Sequence, residues 1–561
     1  MRAAWLITVF AILAVELAAQ QQPPPAPAPP TFRSTAHLVQ INVVVHGRDG
    51  QPVGDLKKED FSVFERGKPQ QIAFFSMQSA APAGVAAAGA AAAGAAATPL
   101  PADVFTNVLT PSGGVPTSVT VILLDTVNTA WSDQHAARDG LLKFLKQIEP
   151  QDRIAIFALG RHGLTLLHDY TSDAASLVSR LKDERGELSA ALDASTLDDA
   201  AQQDLRDMGL DGLADANERE ADFFTTDRVV NTLASFEAIA QHLSGLAGRK
   251  NLIWLSGGIP LMIGFDEMPD AGASVSTRDR RIFSVEMDAA VRALNNSGIA
   301  VYPVDARGLM PPPGFSASSR APLRTPPTLA RQNANVDTMR DLAERTGGRA
   351  AYNTNDLARA IRRAVDDSRV TYTIGYYPAD DTPDGKFRDV KVTVDRPHLD
   401  VRFRKGYFAL RPGVQSAEAR KREMRAAVWS PLDSTAIPVG ARVDFLDQPP
   451  DTINEFVQLD PSTLSFRKDN DRWKATLDIA YVQKDAHGAQ KGGGEVDNLS
   501  LALTEENYRR LMQQGLIRQH RSPRAPGATV LRIVVRDADS GAVGSVTVPL
   551  DKVPTAHSQE R

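Results

Sequence analysis

Asp125, Ser256 and Asp305 stand where apolar runs end: "VTVILLD", "LIWLS" and "VYPVD". Short continuous apolar runs are the pattern of strands buried on both faces of a parallel sheet. In an open α/β sheet, ligands bind beyond the carboxyl ends of such strands, where the strand order reverses. If the three strands lie in one such sheet, these residues share one rim. Paired carboxylates can do acid/base work when their surroundings drive their pKa values apart, so a hydrolase using Asp125 and Asp305 is one reading. Against it, the sequence has no GxSxG, HExxH, P-loop or GxGxxG motif, and its one SxxK (Ser465 to Lys468) lacks companion motifs. There is no cysteine, which excludes disulfides, thiolate nucleophiles, zinc fingers and iron–sulfur clusters.

The elements that must position these residues lie within 104–370, where strand-like and helix-like patterns alternate. "SVTVILLD", "RIAIFALG", "KNLIWLSGG" and "IAVYPVDARG" read as strands, with "LTLLHDY" as a hairpin partner of the second. "AARDGLLKFLKQI", "RVVNTLASFEAIAQHLSGL", "IFSVEMDAAVRALNNSG" and "VDTMRDLAERTGG" read as helices, and "RAAYN" and "DLARAIRRAVDDS" finish the series. The order predicts an α/β fold: a doubly wound, mostly parallel sheet with helices on both faces. Two insertions interrupt it. Residues 182–222 carry 13 acidic and 4 basic residues and read as solvated helices; residues 306–333 are rich in Pro, Ser and Arg and read as a loop. The acidic insert fails the calcium-loop spacing.

Other segments flank this core. Residues 1–19 read as a signal peptide: Arg2, a 13-residue apolar run from Ala3 to Val15, then Ala18 and Ala19. That run is short of the roughly 20 residues a spanning helix needs, and no later stretch is long and apolar enough, so the mature chain is expected to lack a transmembrane segment. Residues 20–31 are a Pro-rich spacer and 79–103 an Ala/Gly-rich flexible insert. Residues 32–78 read as an N-terminal β module, with turns at Asp49-Gly50 and at Gly67-Lys68-Pro69. Residues 371–410 read as a β extension of the core, 411–430 as a linker helix, and 431–561 as a C-terminal β-sandwich interrupted by the helical "TEENYRRLMQQG". Among 561 residues, 63 Lys and Arg face 68 Asp and Glu, a net charge of −5, so no basic excess points to nucleic acid. A content of 42% hydrophobic residues supplies real cores. Trp254 reads as core, the tyrosines of "YTIGYYP" as cover for a sheet edge or domain junction, and His162 and His168 as ordinary surface or half-buried residues.

Four strings, "ILLDTVNT", "GRKNLIWLSGG", "VYPVDARGL" and "TYTIGYYP", resemble the von Willebrand factor type A (VWA) domain. They are more closely similar to the VWFA-related proteins of acidobacteria, which share a "DFxVFExGKPQxI"-like N-terminal segment. The resemblance covers most of residues 36–410; residues 431–561 match in outline. It implies a Rossmann-like core in a secreted or periplasmic protein that binds a protein or another extracellular macromolecule through the rim. It also implies a metal-ion-dependent adhesion site (MIDAS), whose DxSxS motif gives hard oxygen ligands to Mg²⁺. Here the motif reads Asp125-Thr126-Val127-Asn128-Thr129. Asp125 and Thr129 match, Val127 offers no side-chain oxygen, and Ser256-Gly257-Gly258 replaces the usual later aspartate. Thr225 and Thr226 are candidates for the loop threonine. Asn128 and Asp305 are the residues available to restore the oxygen count. The candidate set for Mg²⁺ or another divalent cation in this degenerate MIDAS is therefore Asp125, Asn128, Thr129, Ser256 and Asp305. The alternative leaves Asp125 and Thr129 as helix caps or loop-bonding groups, and the protein as a structural envelope component without a metal.

Overall fold

The computed structural model describes residues 38–79, 101, 103–108, 119–184, 186–196, 199–246, 248–263, 281–309, 327–380, 382, 384, 386–409, 417–446, 448 and 451–553. The leader, the Pro-rich spacer, nearly all of the Ala/Gly-rich insert and residues 310–326 of the Pro-rich loop lie outside the described residues.

Five runs form the central sheet: β1 (Val119–Asp125), β2 (Ile154–Gly160), β3 (Gly163–Thr171), β4 (Lys250–Ser256) and β5 (Ile299–Asp305). They lie in the order β5-β4-β1-β2-β3, parallel except for β3, which folds back on β2 as a hairpin. The registers Leu124 to Leu255 and Ser256 to Asp305 level the strand ends, so Asp125, Ser256 and Asp305 share one rim. The order reverses between β1 and β4, which puts the switch point between Asp125 and Ser256.

Helices α1 (Trp131–Leu145), α2 (Ala174–Asp183), α3 (Ala190–Ser195), α4 (Asp199–Asp207), α5 (Asp211–Leu243) and α6 (Ser284–Asn296) lie between these strands in the chain, and α7 (Pro327–Thr346) and α8 (Leu357–Asp366) follow the last of them. Their apolar residues recur at helical spacing. Leu141, Phe144 and Leu145 of α1 join Leu177 of α2 and Ile361 of α8 over one face, against Ile122, Ile156 and Ile253. Val229, Leu233 and Phe236 of α5 join Val291 of α6 and Met339 of α7 over the other, against Leu123, Phe157 and Trp254. Each such fully buried side chain contributes about 1.5–3 kcal/mol relative to exposure.

Three local outcomes differ from the sequence reading. Helix α5 starts at Asp211, because no proline interrupts the acidic insert and the Arg206–Glu218 pair (2.6 Å) ties α4 to it. Helix α7 starts at Pro327, inside the expected loop. The "RAAYN" stretch meets β5 through a single bridge, Ala351 to Val304, so β5 is the edge of the sheet. Just before it Gly348 crosses the β5 backbone so closely that a Cβ there would lie 1.9 Å from the Val301 carbonyl oxygen.

The β segments on either side of the core are halves of one sandwich. Val39–His46 pairs with Val370–Tyr376 and Asp400–Arg402, and Ile72–Ser79 completes that sheet. The second sheet joins Gly406–Phe408, Phe387–Val394, Phe61–Glu65 and Lys68–Gln70. Ile41, Val63, Tyr372, Ile374, Tyr376 and Val392 fill the space between them. Residues 371–410 are thus not an extension of the central sheet: the N-terminal strands need them to bury an apolar face. The second turn is the two-residue Arg66-Gly67, both at positive φ, with Pro69 inside the following strand.

The C-terminal sandwich also recruits a distant strand. Val104–Thr106 pairs with Val439–Leu446, so it belongs here rather than to the central domain. The helix Ala417–Trp429 is no free linker. Its Ala427 and Val428 pack on Val482 and Val534, and Arg532 donates to the Ala427 carbonyl at 3.0 Å. This module docks on the end of α5: Thr435 N donates to Gln241 O at 3.1 Å, and His242 Nδ1 meets Asp433 O at 2.8 Å. The first sandwich meets the central domain at His46 and Asp367, 3.2 Å apart.

Candidate functional site

Asp125 ends β1 with its side chain buried, and protein donors take up both carboxylate oxygens. The Asn128 amide N–H donates to Oδ1 at 3.0 Å. Oδ2 accepts from Asn128 Nδ2 at 2.8 Å, Trp254 Nε1 at 2.9 Å and Ser256 Oγ at 2.9 Å. Burial pushes the carboxyl above its usual range, and these hydrogen bonds oppose that shift.

Behind Asn128 stands a buried cation. Arg228 Nη1 of α5 donates to Asn128 Oδ1 at 2.6 Å, and its Nη2 donates to Ser195 Oγ at 2.9 Å. Burial lowers the guanidinium to about 10, and the charge on Asp125 acts in the opposite sense, so Arg228 stays charged at neutral pH. Asn128 Nδ2 also donates to Thr232 Oγ1 at 2.8 Å, one helical turn beyond Arg228. Arg228 Nε has no protein partner.

The remaining hydroxyls are committed as well. Thr129 Oγ1 accepts from the Gly257 amide at 3.1 Å, and Ser256 Oγ accepts from the Gly258 amide at 2.9 Å. Gly257 has no room for a side chain, because a Cβ would lie 2.5 Å from the Asn128 carbonyl oxygen. Gln134 braces the loop after β1 by donating to the Thr129 carbonyl at 2.8 Å and the Thr126 carbonyl at 3.1 Å. Ser189 Oγ donates to the Val127 carbonyl at 2.8 Å.

Asp305 shares the rim, yet its carboxylate serves its own loop. Oδ1 accepts from Arg307 N at 3.0 Å and Arg307 Nε at 2.9 Å, and Oδ2 accepts from Arg307 Nη2 at 2.8 Å. Thr225 and Thr226 lie within α5 rather than in a loop, and the α5 side chains that reach Asn128 are Arg228 and Thr232.

An ionised carboxylate has about two lone-pair positions on each oxygen; Asp125 Oδ2 meets three donors and Oδ1 meets one. Mg²⁺ demands near-ideal octahedral oxygen geometry. This donor set does not fit it: Asp125 Oδ2 is crowded by three N–H and O–H donors, Asp305 is clamped by Arg307, and Arg228 adds positive charge behind Asn128. Among the described residues, no group of three or more His, Asp or Glu gathers into a metal cage. The five sequence candidates thus divide: Asp125, Asn128 and Ser256 share one hydrogen-bond network, Thr129 fastens the neighbouring loop, and Asp305 stands apart with Arg307. Sequence reasoning missed Arg228, Thr232 and the polar role of Trp254. The available signal was the four-residue spacing of Arg228 and Thr232 beside the Val229, Leu233 and Phe236 stripe.

No protein-family model matches the chain, and no curated protein matches it. Solved structures similar to it include the SpRpn10 VWA domain, at 12% identity and TM-score 0.21, covering 44% of this chain and 95% of that one. An aerotolerance-related membrane protein from Bacteroides fragilis matches at 15% identity and TM-score 0.25, over 45% of this chain and 99% of that one. The pilus adhesin SpaC from Lactobacillus rhamnosus GG, in its open conformation, matches at 9% identity and TM-score 0.27. There the match covers 76% of this chain and about half (53%) of the adhesin. The central domain of the present chain is a doubly wound sheet in which "ILLDTVNT", "KNLIWLSGG" and "VYPVDARGL" supply three adjacent strands and their exits. Among the described residues, no helix is long and apolar enough to cross a membrane.

Proposed function

We propose that this chain is a VWA-type interaction protein that works without a metal ion and docks a protein partner on the carboxyl-end rim of its central sheet. One observation carries the reading. The strand-end carboxylates are closed by protein donors, while the segments following β1, β4 and β5 expose Trp131, Met262, Ile282 and Leu309, each at least 43% accessible. Exposed aromatic and large aliphatic side chains are the material of binding hot spots. A hydrolase based on Asp125 and Asp305 is disfavoured, because both carboxylates are buried and hydrogen-bonded within the fold. We further propose that the signal-like N-terminus exports the protein, so that the partner is periplasmic or extracellular.

The test is affinity capture from an extracellular or periplasmic fraction, using the wild type and a Trp131→Asp/Leu309→Asp variant, in EDTA and again in Mg²⁺. A partner held equally in both conditions and lost by the variant supports the reading. Capture that requires Mg²⁺, or that the variant retains in full, refutes it.

A further inference from the structure

A cleft of about 830 Å³ runs along the edge of β5. The turn after Val39–His46 forms one wall, α8 another, and Tyr302 and Val304 of β5 the floor. Its volume falls within the roughly 300–1,000 Å³ of small-molecule sites.

The charge in this cleft is unevenly committed. Its carboxylates already have protein partners. Asp49 accepts from the Gln51 amide at 3.0 Å. Asp356 caps α8 through the Arg359 amide at 3.1 Å and pairs with the Arg359 side chain at 2.6 Å. Asp366 is held by Arg362 at 2.8 Å and Arg369 at 3.0 Å. Asp367 is held by His46 at 3.2 Å and by Arg402. Four exposed guanidiniums, of Arg48, Arg349, Arg359 and Arg363, also line the space. Arg48 donates to His398 Nδ1 at 2.6 Å. Arg349 and Arg363 have no side-chain partner among the described residues. Arg363 stands one turn beyond Arg359 on α8, so the two share a face.

We propose that this cleft binds a multiply charged oligoanion, carboxylate- or phosphate-bearing and up to the size of a trisaccharide, anchored by Arg349 and Arg363. Guanidinium forks match the planar oxygen pairs of both groups and bind them bidentately. Tyr352, 43% exposed in the same cleft, offers a ring face that a sugar can use and a bare phosphate chain cannot. Neither Arg349 nor Arg363 is among the rim residues named above for a protein partner.

The experiment is calorimetric titration of the full chain at about 20 mM salt, where screening is weak, with tripolyphosphate, trigalacturonate and neutral maltotriose as probes. At least one anion binds and maltotriose does not. Arg349→Gln/Arg363→Gln weakens that anion about tenfold or more, while Arg420→Gln, outside the cleft, leaves it unchanged. Both substituted positions are exposed, so the thermal midpoint of the double variant stays at the wild-type value; should it fall, the single Arg363→Glu gives the same readout. Preference for trigalacturonate that is lost in Tyr352→Ala assigns an acidic sugar. Preference for tripolyphosphate that is unmoved by Tyr352→Ala assigns a phosphate compound. Binding of neither anion, equal binding of maltotriose, or wild-type affinity in the double variant overturns the proposal.

Discussion

Asn128→Ala removes the side chain on which the closed site turns. The native amide donates to Asp125 Oδ2 and Thr232 Oγ1, both at 2.8 Å, and accepts from Arg228 Nη1 at 2.6 Å. All four residues are buried, with Thr232 at 0% and Arg228 at 5% exposure. Truncation leaves one Asp125 lone pair and one guanidinium N–H without a partner. A buried polar group left unsatisfied costs about 1–3 kcal/mol, and more when charged, so two such groups set a loss of about 3–5 kcal/mol. The Asn128 backbone N–H bond to Oδ1 survives, and Thr232 Oγ1 still donates to the Arg228 carbonyl at 2.7 Å, which keeps the loss from growing further. The assay is urea unfolding followed by far-ultraviolet circular dichroism and by tryptophan fluorescence, to which Trp254, bonded to Asp125, contributes. Because the chain has several domains, the comparison is made on the transition that changes with the mutation rather than on a global two-state fit. A loss below about 1 kcal/mol, the value for one ordinary neutral hydrogen bond, would refute the picture of a buried, mutually supporting network.

Three further outcomes follow from the same structure. Mg²⁺ or Mn²⁺ at millimolar concentration leaves the wild-type thermal midpoint unmoved; a ligand at ten times its Kd adds about 1.4 kcal/mol to the native state, so a clear rise that disappears in Asp125→Ala contradicts the closed site. Gly257→Ala drives a methyl group to 2.5 Å from the Asn128 carbonyl oxygen and costs about 1–3 kcal/mol; unchanged stability in urea would show that the loop yields freely. In the C-terminal sandwich, His520 lies 3.1 Å from Glu455 and 3.0 Å from Glu495, which raise its pKa above the usual 6.5. Its stabilising contribution is full below pH 6.5 and fades as pH rises through the raised value, so His520→Gln flattens that part of the midpoint-versus-pH curve; an unchanged curve discounts the pairing.

The central sheet was legible because its strands are buried on both faces and therefore read as unbroken apolar runs. Asp125, Ser256 and Asp305 were legible for the same reason: each is the first polar residue after such a run. Partnership between distant strands was not legible. Ile41 pairs with Ile374 across more than half of the chain, and alternation of side chains fixes which face of a strand is buried but not which strand lies beside it. Arg228 was hidden for another reason. An arginine among the polar residues of a long helix reads as solvated, and only its position beside the apolar stripe distinguishes it. Trp254 was assigned to the core from its apolar neighbours, and it is fully buried. Its indole N–H needed a partner there, and that requirement alone pointed toward a nearby acceptor.

The closed site also constrains how a partner can bind. Where an adhesion site holds a divalent cation, an acidic residue of the partner completes the coordination, so recognition is bound to a carboxylate. Here the compensating positive charge is Arg228, inside the fold and already bonded to Asn128 and Ser195. A partner approaching the rim meets Trp131, Met262, Ile282 and Leu309 instead, and burial of apolar surface is largely indifferent to moderate salt. The arginine-lined cleft beside β5 behaves oppositely, since contacts between exposed charges weaken as the Debye length falls from about 30 Å at 0.01 M to about 8 Å at 0.15 M salt. Raising salt over that range therefore separates the two surfaces in one preparation: oligoanion binding falls while capture at the rim persists. Loss of both together would mean that the rim, too, recognises charge, and that the apolar side chains exposed there are not what the partner reads.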